Sequence, residues 1–283
     1  MYHSRATPRH VAIAVNIPVN RSWLGIETRA APGPILGVHN QGRKLQPATS
    51  VHAVPVPPSF MPDEVHLWVV DLGPESAGPQ SVGPKSLGLG SYADAARRHA
   101  ATTAAERERA TRFRRPGDGE RYLAAHGALR LILAEQLACD PLALRFSTEN
   151  GGKPTLEGER LQFNLSHSGA LALIAVAQGR QVGVDVECLR PINDLAAVTE
   201  RICTPGERAA LDAVAPPNRD GAFLELWTRK EALAKMTGEG VGALSRDTSL
   251  DEQRCRLVQV QDLPGYAACV AAEGTTWRLV RRA

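Results

Sequence analysis

At 283 residues with 43% apolar content, the chain is long enough to bury a substantial core, as one large domain or two small ones. Its formal charge of +3 is unevenly placed: residues 1–62 carry Arg5, Arg9, Arg21, Arg29, Arg43 and Lys44 against Glu27 alone, a net +5, which leaves 27 basic and 29 acidic residues for the rest. A general nucleic-acid binder carries its basic excess on its folded body, so that class is excluded. No apolar run nears the roughly 18 residues needed to cross a bilayer, and the start lacks a signal-peptide core. The five cysteines are scattered without C-x-x-C spacing, which points to free thiols in a reducing, cytoplasmic compartment.

In chain order, residues 1–62 are acid-poor and rich in Pro and Gly, the composition of a disordered extension, with a transit peptide as the alternative. Order is expected to begin near Val65, where Val65-His-Leu-Trp-Val-Val-Asp71 has the β-branched and aromatic content of a strand. Gly, Pro and Ser then dominate from Gly73 to Gly90, a loop or insertion. The Ala/Arg/Glu-rich stretch from Tyr92 to Arg115 predicts one helix, ended by Pro116 and Gly117; a second is predicted from Gly119 to Ala138.

Past a Cys-Asp-Pro stop, Arg145 to Pro154 reads as a strand end entering a Gly-Gly turn, with Lys153 placed to meet a phosphate or simply to close a hairpin. Phe163-Asn-Leu-Ser-His-Ser-Gly169 sets Ser166, His167 and Ser168 immediately before the apolar strand Leu171 to Ala177. There the hydroxyls and the imidazole can serve an anion, or the histidine can be a structural hydrogen-bonder.

Two further blocks carry the most chemistry. Val182-Gly-Val-Asp-Val-Glu187 alternates as a strand does, which puts Asp185 and Glu187 on one face and Val184 and Val186 on the other. Trp227-Thr-Arg-Lys-Glu-Ala-Leu-Ala-Lys235 reads as a helix. At about 100° per residue Lys230 and Glu231 fall inside its apolar arc, whereas Glu225, Thr228, Arg229 and Ala232 fall opposite, where solvent is expected. A charge on a buried face is costly unless paired or bound to metal. Lys235 follows Glu231 by four and reaches the same ligand. Three acids and two lysines around one site suit a hard divalent cation held against a phosphate, with an internal ion pair as the alternative use of the helix charges.

Taken together and in this order, Gly152-Lys-Pro154, Phe163 to Gly169, Val182 to Glu187 and Trp227 to Lys235 resemble the motif set of the 4′-phosphopantetheinyl transferases of the surfactin-synthetase-activating type. The resemblance spans roughly residues 65 to 272 and leaves residues 1–62 unmatched. It implies an α+β fold of two similar halves with pseudo-twofold symmetry and the active site between them, here 63–180 and 181–283. The implied activity is transfer of the 4′-phosphopantetheine arm of coenzyme A to a serine of an apo acyl or peptidyl carrier protein of fatty-acid, polyketide or nonribosomal-peptide synthesis. Adenosine 3′,5′-bisphosphate is released, Mg2+ is required, and a monomer is expected.

Residue by residue, the resemblance implies that Asp185, Glu187 and Glu231 hold magnesium and that Glu231 is also the base for the incoming serine. Lys230 and Lys235 would contact phosphate, Lys235 nearest the leaving bisphosphate. Lys153 and Pro154 would form the adenine-side turn, and Ser166 and His167, with Arg121 and Arg109, would meet the 3′-phosphate. Where some members have a lysine ahead of the Arg109 position this chain has Glu106, which implies that the contact is lost or passes to Arg107. A metal-dependent nucleotide phosphohydrolase and a non-catalytic carrier-protein-binding relative remain as alternatives. Intact Asp185, Glu187, Lys230, Glu231 and Lys235 argue against decay.

Overall fold

The computed structural model describes residues 61–73, 94–148, 152–158, 161–239 and 254–282. The expected extension lies outside the described residues except for its last two positions, as does the 73–90 loop beyond Gly73. Strand β1 (Glu64–Asp71) is followed by helices α1 (Ala95–Ala100), α2 (Ala104–Ala110) and α3 (Pro116–Leu137), then by β2 (Phe146–Thr148), β3 (Pro154–Leu156), β4 (Leu161–Ser168) and β5 (Leu171–Gln178). Strand β6 (Val182–Cys188) leads to α4 (Leu195–Ile202), α5 (Pro205–Asp212), α6 (Arg219–Thr237), β7 (Cys255–Gln259), β8 (Tyr266–Glu273) and β9 (Arg278–Arg282). The architecture is α+β, and no helix among the described residues is long and apolar enough to cross a membrane.

One sheet runs β4-β5-β1-β9 and another β6-β8-β7, with β2 and β3 a separate hairpin. The alternation of each strand sorts its residues between two cores. Trp68, Val70, Ala172, Ile174 and Val176 pack against α3 through Ala125, Ala128, Leu129, Ile132 and Leu133. Their strand neighbours Val65, Leu67, Leu171, Leu173 and Ala175 turn the other way, onto Val182, Val184 and Val186 of β6 and Ala268, Val270 and Ala272 of β8. The layers are therefore α3, first sheet, second sheet, α6. Strand β5 has both faces covered, so Leu171 to Ala177 are all buried; this explains a continuous apolar run where a half-exposed strand would alternate.

The single helix expected from Tyr92 to Arg115 is two. Thr103 accepts from the Glu106 backbone N–H at 3.2 Å and Glu106 returns a bond to the Thr103 N–H at 2.7 Å, a capping box that starts α2 afresh. Pro116, expected to end the preceding helix, instead opens α3 at its first turn, where a missing N–H costs nothing. The segment around Ser166 and His167 does come immediately before the apolar strand, and is itself part of β4, paired with β5 from Leu161↔Gln178 to Ser168↔Leu171.

Helix α6 is wedged between the second sheet and α4/α5. Ala232, Leu233 and Met236 meet Cys255, Cys269 and Ala271, whereas Phe223, Leu224, Trp227 and Ala234 meet Val198, Cys203 and Leu211. Cover on both sides is why Thr228 and Ala232, expected to face solvent, are fully buried. Close approach to β6 requires Gly183: a Cβ there would sit 2.0 Å from the Ala232 carbonyl oxygen and 2.5 Å from the Met236 nitrogen. Gly183→Ala must push α6 off the sheet, and a loss of ~2 kcal/mol in urea unfolding is expected, in the range of overpacked cores.

Glu106 also ties α2 to α3, accepting from Arg130 Nε through both carboxylate oxygens at 2.9 and 3.0 Å. Burial alone would raise its pKa, but bonds from His126, Thr103 and Arg130 outweigh that and hold it at about 2, against an ordinary 4.5. A carboxylate depressed in the folded state contributes stability that is present above pH 4.5 and disappears as pH falls toward 2. Glu106→Gln is therefore expected to cost about 3 kcal/mol at pH 7. The gap to wild type, followed by urea titration at descending pH, should close across that window.

Candidate active site

The functional side chains collect where β6, α6 and the edge strand β4 meet. On β6 the valines face the first sheet, so Gly183, Asp185 and Glu187 face α6. Asp185 is only 4% exposed, far from the solvated edge that alternating acids usually mark. Lys235 Nζ donates to Asp185 Oδ1 at 2.6 Å and to Ser166 Oγ at 3.1 Å, and the Ser166 hydroxyl donates to the same Oδ1 at 2.8 Å. Glu231, one turn before Lys235 on α6, is also buried. Burial and then the neighbouring Asp185 push Glu187 up to about 7; burial, with Asp185 adding, does the same for Glu231 against the opposing Lys235. Burial would depress Lys235, but Asp185 and Glu231 reverse this and raise it.

Asp185 Oδ2 and Glu231 Oε1 are buried without a hydrogen-bond partner among the described residues. Such acceptors are rare because each carries an uncompensated desolvation cost. Acceptor-only oxygens on three neighbouring acids and no soft ligand in the cluster form a donor set that fits a hard cation. Among the described residues no three His, Cys, Asp or Glu side chains stand ready-gathered as a metal-binding group.

Adjacent residues of β4 point apart. His167 shares the face of Phe163 and Leu165, which pack on the α3 side, so Ser166 and His167 do not address one point. Burial pushes the His167 imidazole down to about 3, and the positive charges of Lys235, His126 and Arg121 add to the effect. Arg121 pairs with Asp118, and Arg109 lies 5.4 Å from the Tyr122 ring centroid. The Tyr122 ring in turn stands 4.2 Å from that of His126. Arg121 brings positive charge to the His167 side of β4, whereas the His126 imidazole faces the Glu106 carboxylate. His126 was not among the residues picked out by motif; its only sequence signal is its place one turn beyond Tyr122. The Arg107 guanidinium donates to the Thr102 carbonyl through Nη1.

Lys153 donates to the Val182 carbonyl at 2.7 Å and to Gln181 Oε1 at 3.0 Å, across the seam between the expected halves. Burial pushes it down to about 8. Pro154 opens β3 opposite Thr148. Lys230 is not brought to the cluster: its ammonium is wholly buried 2.9 Å from Glu207 Oε1 of α5. The sequence alternative of an internal ion pair is thus what the described residues give Lys230, because α5 covers that side of α6.

Family models agree with this arrangement along the chain. Residues 92–179 match the family "4′-phosphopantetheinyl transferase, N-terminal", and residues 181–279 match the "4′-phosphopantetheinyl transferase superfamily". The 4′-phosphopantetheinyl transferase HetI of Nostoc sp. is 37% identical over 199 residues, 68% of this chain and 76% of that protein. The chain belongs to the 4′-phosphopantetheinyl transferase superfamily. More distant members of the superfamily include a 4′-phosphopantetheinyl transferase of Bacillus subtilis, 31% identical over 50% of this chain and 62% of its own length. Another is the transferase Sfp of the same species, 27% identical over 59% and 80%.

Within this transferase the Lys230–Glu207 pair has a checkable consequence. Glu207→Ala removes the carboxylate that faces a wholly buried ammonium and is expected to cost about 3 kcal/mol in urea unfolding, whereas Lys230→Met with Glu207→Leu, which removes both charges, should recover most of that loss.

Proposed function

We propose that the chain moves the 4′-phosphopantetheine arm of coenzyme A onto a serine hydroxyl of an apo acyl or peptidyl carrier protein, releasing adenosine 3′,5′-bisphosphate, with magnesium as the metal. The observation that carries the residue assignment is the β6/α6 cluster, in which Asp185 Oδ2 and Glu231 Oε1 are buried without a hydrogen-bond partner beside Lys235. Asp185, Glu187 and Glu231 would hold the cation, which when bound supplies Lewis-acid charge neutralisation at the pyrophosphate oxygens.

The remaining steps belong to the chain. Lys235, kept protonated by Asp185 and Glu231 despite its burial, places a fixed positive charge where the leaving bisphosphate gains negative charge. Glu231 takes the serine proton, directly or through water, because a hydroxyl is a poor nucleophile until a base removes it. Arg109, Arg121 and His167 bind the 3′-phosphate on the α3 side of β4, and Lys153 with Pro154 borders the adenine. Lys230, sealed against Glu207, is left out of this set. Two halves, 63–180 and 181–283, are supported by family matches that change over between residues 179 and 181, with β9 of the second returning to pair with β1 of the first. Five free thiols support a reducing, cytoplasmic setting.

The test is incubation with coenzyme A, magnesium and a panel of apo carrier proteins, read by intact mass. Wild type is expected to add the arm. Asp185→Ala and Glu231→Ala should each lower turnover by roughly two to four decades. If coenzyme A is cleaved with no carrier present while no carrier gains mass, the chain is a phosphohydrolase instead.

A further inference from the structure

Strands β4 and β6 lie side by side but belong to different sheets, so no backbone ladder joins them. Side chains do that work. Asn164 Oδ1 accepts from the Val184 N–H at 2.9 Å, and Ser168 Oγ accepts from the Cys188 N–H at 3.0 Å. Between these two stitches stand the acids. Ser166 donates to Asp185 Oδ1 at 2.8 Å and Ser168 donates to Glu187 Oε2 at 3.0 Å. Asn164, Ser166 and Ser168 are alternate residues of one strand, so they occupy one face.

A hydroxyl has a single proton to give. Ser168 Oγ already accepts from Cys188 and Ser166 Oγ already accepts from Lys235, which directs each proton to its carboxylate. On Asp185 both donors, Ser166 and Lys235, use Oδ1, and Oδ2 is the buried oxygen with no hydrogen-bond partner. On Glu187 both neighbours, Ser168 and Arg190, approach Oε2, at 3.0 and 3.7 Å. Each acid is thus held by one oxygen.

We propose that Ser166 and Ser168 are positioning residues that clamp one oxygen each of Asp185 and Glu187 and so aim the other oxygen at the cation. For Ser166 this differs from a 3′-phosphate contact, and for Ser168 it replaces a general anion contact with a grip on Glu187. The inference rests on the proposed magnesium site. Partners of this kind fix a ligand's orientation, and their loss weakens metal binding by about 10- to 100-fold.

The test uses Mn2+ as the probe, titrated into full-length protein with saturating coenzyme A and followed by the paramagnetic resonance of free Mn2+. Asp185→Ala is the control: if it binds Mn2+ as wild type does, the metal site is elsewhere and this inference falls with it. With that control behaving, Ser168→Ala and Ser166→Ala should each bind Mn2+ about tenfold more weakly, with an apparent KM for magnesium raised more than kcat is lowered. Ser168→Thr and Ser168→Val differ in the hydroxyl at nearly equal volume, so matched melting temperatures without metal, Mn2+ affinity retained in the Thr variant and lost in the Val variant are expected. Mn2+ affinities within twofold of wild type in both alanine variants, or equal in the Thr and Val variants, would overturn the proposal while leaving the transferase activity standing.

Discussion

Burying Asp185 and Glu231 beside a single lysine is the constraint around which the rest is arranged. Charges taken from water are costly unless closely paired, and Lys235 satisfies only Oδ1 of Asp185. The remaining negative charge is held between β6 and α6 by packing, with valines against the first sheet behind it and Ala232, Leu233 and Met236 against the second sheet beside it. Gly183 lets the two backbones close to a distance that a side chain would forbid. Stability is therefore spent on keeping oxygens together that repel one another, a situation common at sites that bind a counter-charge.

Strand β4 divides the chemistry. Its alternation sends Ser166 and Ser168 toward the carboxylates of β6 and His167 toward α3, where Arg121 adds positive charge. The His167 side and the acid cluster thus stand back to back across one strand, with Lys235 near enough to influence both. A substrate carrying several phosphates, one end to be held and one to be activated, suits such a divided site. The same logic accounts for Glu106: with α2 rather than a ligand as its neighbour, it caps that helix and binds Arg130, so the acid serves the fold.

The motif blocks made the site legible because each encodes a local regularity. The two-residue period of Val182 to Glu187 placed Asp185 and Glu187 on one face, and the helical period of Trp227 to Lys235 brought Glu231 and Lys235 to one side, as the structure has them. Lys230 shared the same apolar arc but meets α5, since the arc is wide enough to touch two different neighbours and periodicity cannot tell them apart. Thr228 and Ala232 were misplaced for the same reason: amphipathic periodicity assumes one buried side, and α6 has two. The Thr103–Glu106 capping box was present in the sequence yet outweighed there by the helix-forming composition around it.

Chain order, residue type and short-range period singled out the acids, lysines and imidazole of the candidate site, and the motifs that it shares with its family. They could not determine which residues of different segments would meet. That Ser166 and Ser168 grip Asp185 and Glu187, that Lys153 crosses to Val182, and that Lys230 is consumed by Glu207 follow from how β4, β6, α5 and α6 pack. The reason is physical: a side chain's partner is set by long-range burial and the need to satisfy every buried charge, and neither has a signature at fixed spacing along the chain.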